Sequence, residues 1–287
     1  MRVLILGGGG TLGAFSAGAL RALSQVGWRA DALIGSSAGS INLLRASVGG
    51  AEEAVRFWTS LSLGELVAAT LSRNPLRDGI LDPKRLYQRV ERDVEFPRIF
   101  GDSRPIGFIV VDLVTGKVSV RGNRTEQSAD DLRAVTRASF SLPPLLPPVE
   151  LHGALLADGG FLRNAPLETA LSLGATEIVY LCNVQVAPHR GFGRFGAART
   201  FLRYANIYFR RASNIGYADA HIVEGHYHGV PFLTIAPPPT LRLIQAMLPT
   251  SSTMQRMVDL GESCAHSAIH ASRLVAPEIG ASRGIEV

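Results

Sequence analysis

Lysine is almost missing from this 287-residue chain: Lys84 and Lys117 are the only two among 29 basic residues. Cysteine is equally scarce. Cys182 and Cys264 stand far apart and form neither a CxxC pair nor a metal spacing, which excludes a disulfide scaffold and a zinc ribbon. They read as buried free thiols of a reducing compartment. Charged residues make up 18%, against about 25% in an average globular chain. With 46% hydrophobic residues, a disordered chain is excluded. No run reaches the roughly 18 apolar residues of a membrane-spanning helix. The apolar run Val3–Leu6 is too short for a signal-peptide core, so a cytoplasmic location is expected. Acidic residues number 24, leaving a net charge of +5 carried almost wholly by arginine. Arginine, alanine and glycine share G/C-rich codons, so genomic base bias explains that charge as well as an affinity for anions or membrane surfaces does.

What is present is a core-forming chain with an α/β rhythm. Val3 to Leu6 reads as a short buried strand ending in Gly7 to Gly10. Ala14 to Val26 has helical spacing, with Phe15, Ala19, Leu20 and Leu23 as its apolar stripe. Ala32 to Ile34 is a second apolar run ending at Gly35, and Ile41 to Val48 suggests another helix. Strand, turn, helix repeated in this way predicts a parallel sheet. Ala51 to Val94 reads as mostly helical, broken near Asn74-Pro75 and Asp78-Gly79. Further on, strands are predicted at Ile106 to Leu113, Val118 to Arg121, Leu151 to Ala157, Ile178 to Val184 and Phe232 to Ala236. Helices are predicted at Leu132 to Ala138, Pro166 to Leu173 and Met254 to Leu274, and a proline-rich irregular loop at Leu142 to Pro148.

Three motifs carry chemistry. Gly35-Ser36-Ser37-Ala38-Gly39 fits G-x-S-x-G between a strand and a helix, the setting of a nucleophile elbow. Small neighbours permit the strained turn, and the following helix aims its positive end at Ser37. Alone, such a match is also compatible with a small-residue packing turn. Gly8-Gly9-Gly10 presents consecutive backbone N–H groups that suit a phosphate or an oxyanion. The same stretch, Gly8 to Gly13, matches the G-x-G-x-x-G dinucleotide fingerprint. That fingerprint wants an acid at the end of the second strand. Asp31 lies before that strand, and the G-x-S-x-G turn occupies the position after it, so the oxyanion reading is favoured. Asp158-Gly159-Gly160 ends an apolar run. Asp-Gly is a common turn, but a carboxylate at a strand end in an apolar pocket would have a raised pKa and suit a general base for a serine.

Taken in order, these motifs resemble the patatin-like phospholipase family: a Gly-rich loop, then G-x-S-x-G, then D-G-G. The text between them agrees. Arg137-Ala138-Ser139-Phe140-Ser141-Leu142-Pro143 and Leu146-Pro147-Pro148-Val149 resemble the family's A-S-x-x-x-P and P-P stretch. Asp158 to Pro166, with Asn164 and Pro166, resembles its D-G-G-x-x-x-N-x-P continuation. The resemblance covers roughly residues 3 to 185. It implies a three-layer αβα sandwich with a mostly parallel central sheet. It implies lipid acyl-ester hydrolysis by a Ser37–Asp158 dyad without a catalytic histidine, an oxyanion hole from Gly8, Gly9, Gly10 and Ala38, and no metal or organic cofactor. A single patatin-like domain, residues 1–287, is expected, its motif-bearing core about 1–185. Residues 186–287 are expected to complete the fold and shape the lipid entrance. Where many relatives carry a basic residue before the last glycine of the loop this chain has Leu12. A subset with G-G-G-A-L-G is the nearest pattern, and the change bears on the head group of the substrate.

The other candidates are weaker. A conventional α/β-hydrolase needs a late histidine, and His221, His226, His228, His266 and His270 are late enough. Ser37 follows only the second strand, however, which is early for that fold. His221, Glu224, His226 and His228 fit no zinc template, and His266 with His270 lacks a third ligand. Between residues 187 and 217, arginines and aromatics interleave with no acid, Arg199, Arg203 and Arg210 sharing one helical face. A surface helix docked on the core accounts for this stretch. Its functional reading is a peripheral contact with anionic membrane through residues 190–211. Nucleic acid is not expected, although arginine with aromatics also suits single strands. The expected activity is thus a serine acyl hydrolase of phospholipase A or lysophospholipase type acting on a lipid or other acyl ester. A catalytically weak lipid-surface protein and a nucleotide-binding oxidoreductase stand as alternatives.

Overall fold

Val3 to Leu6 of the first strand are fully buried, which is what a central parallel strand covered on both faces requires. In the computed structural model, which describes residues 1–61, 82–160, 162–163, 165–183, 222–238 and 250–272, strand β1 (Arg2–Leu6) alternates between two cores. Leu4 and Leu6 face helices α1 (Gly13–Gln25) and α2 (Ala38–Thr59). Val3 and Ile5 face the opposite side. There, Leu167 and Ala170 of a later short helix are buried against them. A mostly parallel sheet with helices on both faces is therefore the architecture.

Along the chain, β2 (Ala32–Gly35) precedes α2. Helices α3 (Lys84–Val90) and α4 (Phe96–Phe100) lead to β3 (Ile106–Asp112) and β4 (Val118–Gly122). Helix α5 (Ala129–Ala138) precedes β5 (Val149–Leu151) and β6 (Ala154–Asp158). Then come α6 (Leu167–Ser172), β7 (Glu177–Leu181), β8 (Ile222–Val223), β9 (His226–Tyr227), β10 (Val230–Ile235) and α7 (Ser251–Ser272). Strands β3, β2, β1, β7 and β10 lie side by side and parallel. Antiparallel strands flank them: β4, β5 and β6 beyond β3, and β9 and β8 beyond β10.

One detail of register positions the candidate site. Strand β3 uses one edge for β4, where Phe108 meets Arg121 and Val110 meets Ser119. Its other edge is shared: Phe108 meets Gly35 of β2, and Val110 meets Asp158 of β6. Strands β2 and β6 therefore run toward each other along a single edge and stop one residue pair apart. The chain leaves that junction through Ser36-Ser37 on one side and Gly159-Gly160 on the other.

Helix α7 presses closely on α1. A Cβ on Gly18 would run into the Val258 carbonyl, and one on Gly261 into the Phe15 carbonyl. Glycine at both crossing points allows this approach. Arg21 closes the contact with an ion pair to Glu262 at 2.6 Å.

Several expectations need correction. Leu151 to Ala157 is not one strand but the hairpin β5–β6, turned at His152 (φ 51) and Gly153 (φ 80); a turn of only two residues leaves the apolar residues on either side reading as a single run. Helix α2 runs well past Val48, through a kink at Gly49-Gly50. Strands β8 and β9 are too short to be seen in composition. Cys182 is buried as expected, whereas Cys264 is only half-buried. The predicted break near residues 74–79, residues 187–217 with their membrane-contact reading, Asn164 and His221 lie outside the described residues. No helix among the described residues is long and apolar enough to cross a membrane.

Candidate active site at the junction of β2 and β6

Ser37 is the residue on which the chain reverses from β2 into α2. Its backbone sits at φ 51, ψ −119, outside the ordinary regions for a side-chain-bearing residue. Such strain persists only where the surroundings impose it. Here Ser36 N–H donates to Leu6 O at 3.0 Å, and Ser37 N–H to Ser139 O at 2.9 Å. Gly39 has no room for a side chain, since a Cβ there would strike the Leu6 carbonyl oxygen. The turn thus presses α2 directly onto the end of β1.

Asp158 is the last residue of β6 and is buried. Gly160 N–H donates to Oδ1 of its carboxylate at 2.9 Å, and the Ser37 hydroxyl lies near enough to hold the carboxyl's pKa down. Burial pushes the carboxyl up to about 7, and the nearby Ser37 hydroxyl and the Gly160 N–H only partly oppose this. Gly159 is pinned against β3, where a Cβ would lie 2.6 Å from the Val110 carbonyl carbon. Asp158 N–H donates to Ser141 O at 2.9 Å. One short segment, Ser139 to Ser141, therefore accepts the amides of both Ser37 and Asp158. That segment is held in turn: Ser139 Oγ donates to Thr136 O at 2.7 Å, and Ser141 Oγ to Arg137 O at 3.0 Å. The Tyr87 hydroxyl meets Ser141 Oγ at 3.1 Å. Arg137 stacks over the Tyr87 ring at 4.8 Å and pairs with Glu91.

The glycine loop emerges beside this turn, because Leu6 of β1 pairs with Gly35 of β2. Gly9 (φ 154) and Gly10 (φ 58) adopt conformations that side chains rarely tolerate. A 3₁₀ turn, Gly10–Leu12, then enters α1. Gly8 and Gly9 are buried and Gly10 is exposed. Among the described residues, no acceptor takes the amide protons of Gly9, Gly10 or Ala38, whereas those of Gly39, Ser40 and Ile41 go to the Ser36 and Ser37 carbonyls. The first turn of α2 contains no acidic residue to neutralise its positive end. Fixed backbone donors that are not already taken by an internal acceptor are what a developing oxyanion requires. Leu12 is fully buried in the core with α1 and α2, so its side chain serves packing.

The structure thus brings together Ser37, Asp158, Gly8, Gly9, Gly10 and Ala38 at one end of the sheet. It leaves the described histidines elsewhere. His266 is exposed on α7, 3.0 Å from Gln25 Oε1, and His226 bonds the Glu224 carbonyl at the β8–β9 hairpin. Asp31 is occupied at the start of β1, accepting from Arg2 N–H at 2.7 Å. Among the described residues no three ligand-type side chains converge. Sequence reasoning missed Ser139, Ser141, Asn42 and Asn183 as supports, because their role depends on partners far away in the chain.

Comparisons with known proteins agree with this geometry. The family model described as patatin-like phospholipase matches residues 4–171. An uncharacterized NTE family protein of Mycobacterium bovis is 32% identical over 191 residues, covering 61% of this chain and 49% of that protein. The mouse patatin-like phospholipase domain-containing protein 6 is 29% identical over 188 residues, covering 61% of this chain and 13% of that protein. The chain thus spans about half the length of the mycobacterial relative and a small part of the mouse one. In fold it is similar to VipD from Legionella pneumophila, with a TM-score of 0.57 at 14% identity, over 94% of this chain and 67% of that one. With the model matching more than half its length, the chain belongs to the patatin-like phospholipase family.

Proposed function

We propose that the protein is a serine hydrolase of lipid acyl esters, of phospholipase A or lysophospholipase type, working through Ser37 and Asp158. The observation that carries this reading is a buried carboxylate beside the Ser37 hydroxyl where β2 and β6 meet along β3, its pKa pushed up to about 7 by burial. A base with that pKa is about half ionised at neutral pH and can still take up a proton, the compromise general-base catalysis needs. Ser37 Oγ attacks the ester carbonyl as its proton passes to Asp158. The tetrahedral oxyanion is held by amides of the Gly8 to Gly10 loop and of Ala38. Collapse breaks the ester C–O bond; the Asp158 proton goes to the leaving alcohol, and Ser37 is left acylated. Water then attacks, giving its proton to Asp158, and Ser37 regains a proton as the fatty acid leaves. In this scheme Asp158 itself serves as the base, so no histidine is required.

The test is fatty-acid release from lysophosphatidylcholine and from phosphatidylcholine vesicles, followed beside Ser37→Ala. Release by the wild type that disappears in the variant supports the reading. Equal release from both proteins, or none from any ester by folded wild type, removes it.

A further inference from the structure

The glycine loop cannot hold itself. Gly8, Gly9 and Gly10 have no side chains to pack, and two of them occupy positive-φ conformations. Both ends of the loop are fixed by buried side-chain amides on other elements. Asn183, just beyond β7, donates from Nδ2 to the Gly7 carbonyl at 2.7 Å. Asn42, in the second turn of α2, donates from Nδ2 to the Gly13 carbonyl at 2.9 Å. Each amide has its other end occupied. Ser16 Oγ donates to Asn183 Oδ1 at 2.5 Å, and Trp58 Nε1 donates to Asn42 Oδ1 at 2.6 Å. Ser16, Asn42 and Asn183 are 0% exposed.

The partners settle the orientation of both amides. An indole N–H can only donate, so the Asn42 oxygen must face Trp58 and its NH2 must face Gly13. A backbone carbonyl can only accept, so the Asn183 NH2 must face Gly7 and its oxygen Ser16. The Asn183 bond has a direct consequence for the site. The Gly7 carbonyl and the Gly8 N–H belong to one planar trans peptide and point in opposite directions. Holding that carbonyl toward Asn183 therefore fixes the plane of the peptide from which the Gly9 and Gly10 amides follow. Asn42 couples the same loop, at its far end, to the helix that begins at Ser37.

Resting on the Ser37–Asp158 reading above, we propose that Asn183 and Asn42 are positioning residues that set the glycine loop to receive the oxyanion. They touch no reacting atom; they act through the peptide groups of the loop. Removing one oxyanion donor typically costs about 100- to 1000-fold in kcat. Misaiming it should cost part of that.

The test uses the full chain, a soluble p-nitrophenyl ester and a fluorophosphonate, whose phosphoryl oxygen needs the same donors. Asn183→Asp and Asn42→Asp keep side-chain size and remove the NH2 donor; Ser16→Ala and Trp58→Phe are milder and remove only the orienting partner. The expected result is a fall in kcat and in the rate of Ser37 phosphonylation of about 10- to 100-fold for the Asp variants. KM should stay within about twofold, and the pH midpoint of the reaction should remain near that of wild type, since Asp158 lies on the other side of the site. A role in folding alone would lower the melting temperature and leave the kcat of the folded fraction unchanged, which overturns the proposal. If the Asp variants do not fold, Ser16→Ala and Trp58→Phe decide, with wild-type kcat in both overturning it. Wild-type protein that never phosphonylates Ser37 would instead sink the Ser37–Asp158 reading, and this proposal with it.

Discussion

The two sides of the candidate site are built by different means. On the Ser37 side, the backbone supplies the order: a parallel strand buried on both faces, a glycine-bounded turn and a helix pressed against β1 until only Gly39 fits. On the Asp158 side, a short antiparallel hairpin brings one side chain to the end of another strand by register alone. Ser37 is partly open to solvent, whereas Asp158 is 6% exposed, and that difference sets its acidity. Strain is concentrated on one side and desolvation on the other. The Ser139–Ser141 segment, which accepts an amide bond from each, keeps the two in step.

The largest expected effect is on the strained side. Ser37→Ala should lower turnover by about 10⁴-fold or more while the protein stays folded, as steady-state kinetics and circular dichroism would show. Asp158→Asn should cost about 10²- to 10⁴-fold, measured on the same ester. Gly39→Ala should destabilise by several kcal/mol, because the added Cβ meets the Leu6 carbonyl and neither backbone can move freely; chemical denaturation would measure it.

Desolvation on the Asp158 side gives a stability effect of opposite sense. The folded carboxyl pKa lies above its unfolded value of 3.8, so the folded state binds the proton more tightly. That contribution is fully present below the unfolded pKa and is lost as pH rises through about 7. Asp158→Asn, neutral at every pH, should therefore melt higher than wild type at pH 8, and the gap should close as pH falls toward 4. A gap that stays constant with pH would mean Asp158 is not buried as a charge. The smallest effect is expected from Tyr87→Phe, which deletes one hydroxyl bond to Ser141. A cost of about 1 kcal/mol in stability, with less than about tenfold in kcat, is expected. A larger kinetic loss would mean that the segment controls the site more than either strand end does.

The parallel half of the fold was legible because its cause is local. Val3 to Leu6 and Ala32 to Ile34 are apolar runs stopped by glycine, and the helices after them repeat at helical spacing. The conformation of Ser37 followed from its small neighbours. Asp158 was legible as a residue but not as a position. Nothing within Leu151 to Ala157 says that the run folds back at His152, or that β6 will take the edge of β3 where β2 leaves off. Such pairings are decided by registers far apart in sequence. Asn42 and Asn183 were invisible for a related reason: a buried amide has meaning only when its partner is known. Gly7 lies 176 residues from Asn183. Leu12 shows the limit of pattern matching, since its burial explains why an apolar side chain suits its position.

The account stands on Asp158 acting directly on Ser37 as a base with a raised pKa. The most direct measurement is the rate of Ser37 phosphonylation by a fluorophosphonate between pH 5 and pH 9, with peptide mapping, in wild type and Asp158→Asn. The account predicts a rate that rises with pH to a plateau with its midpoint at about 7, and a slow, flat profile in the variant. Labelling of Ser37 that is equally fast in Asp158→Asn, with the same pH dependence, would contradict it.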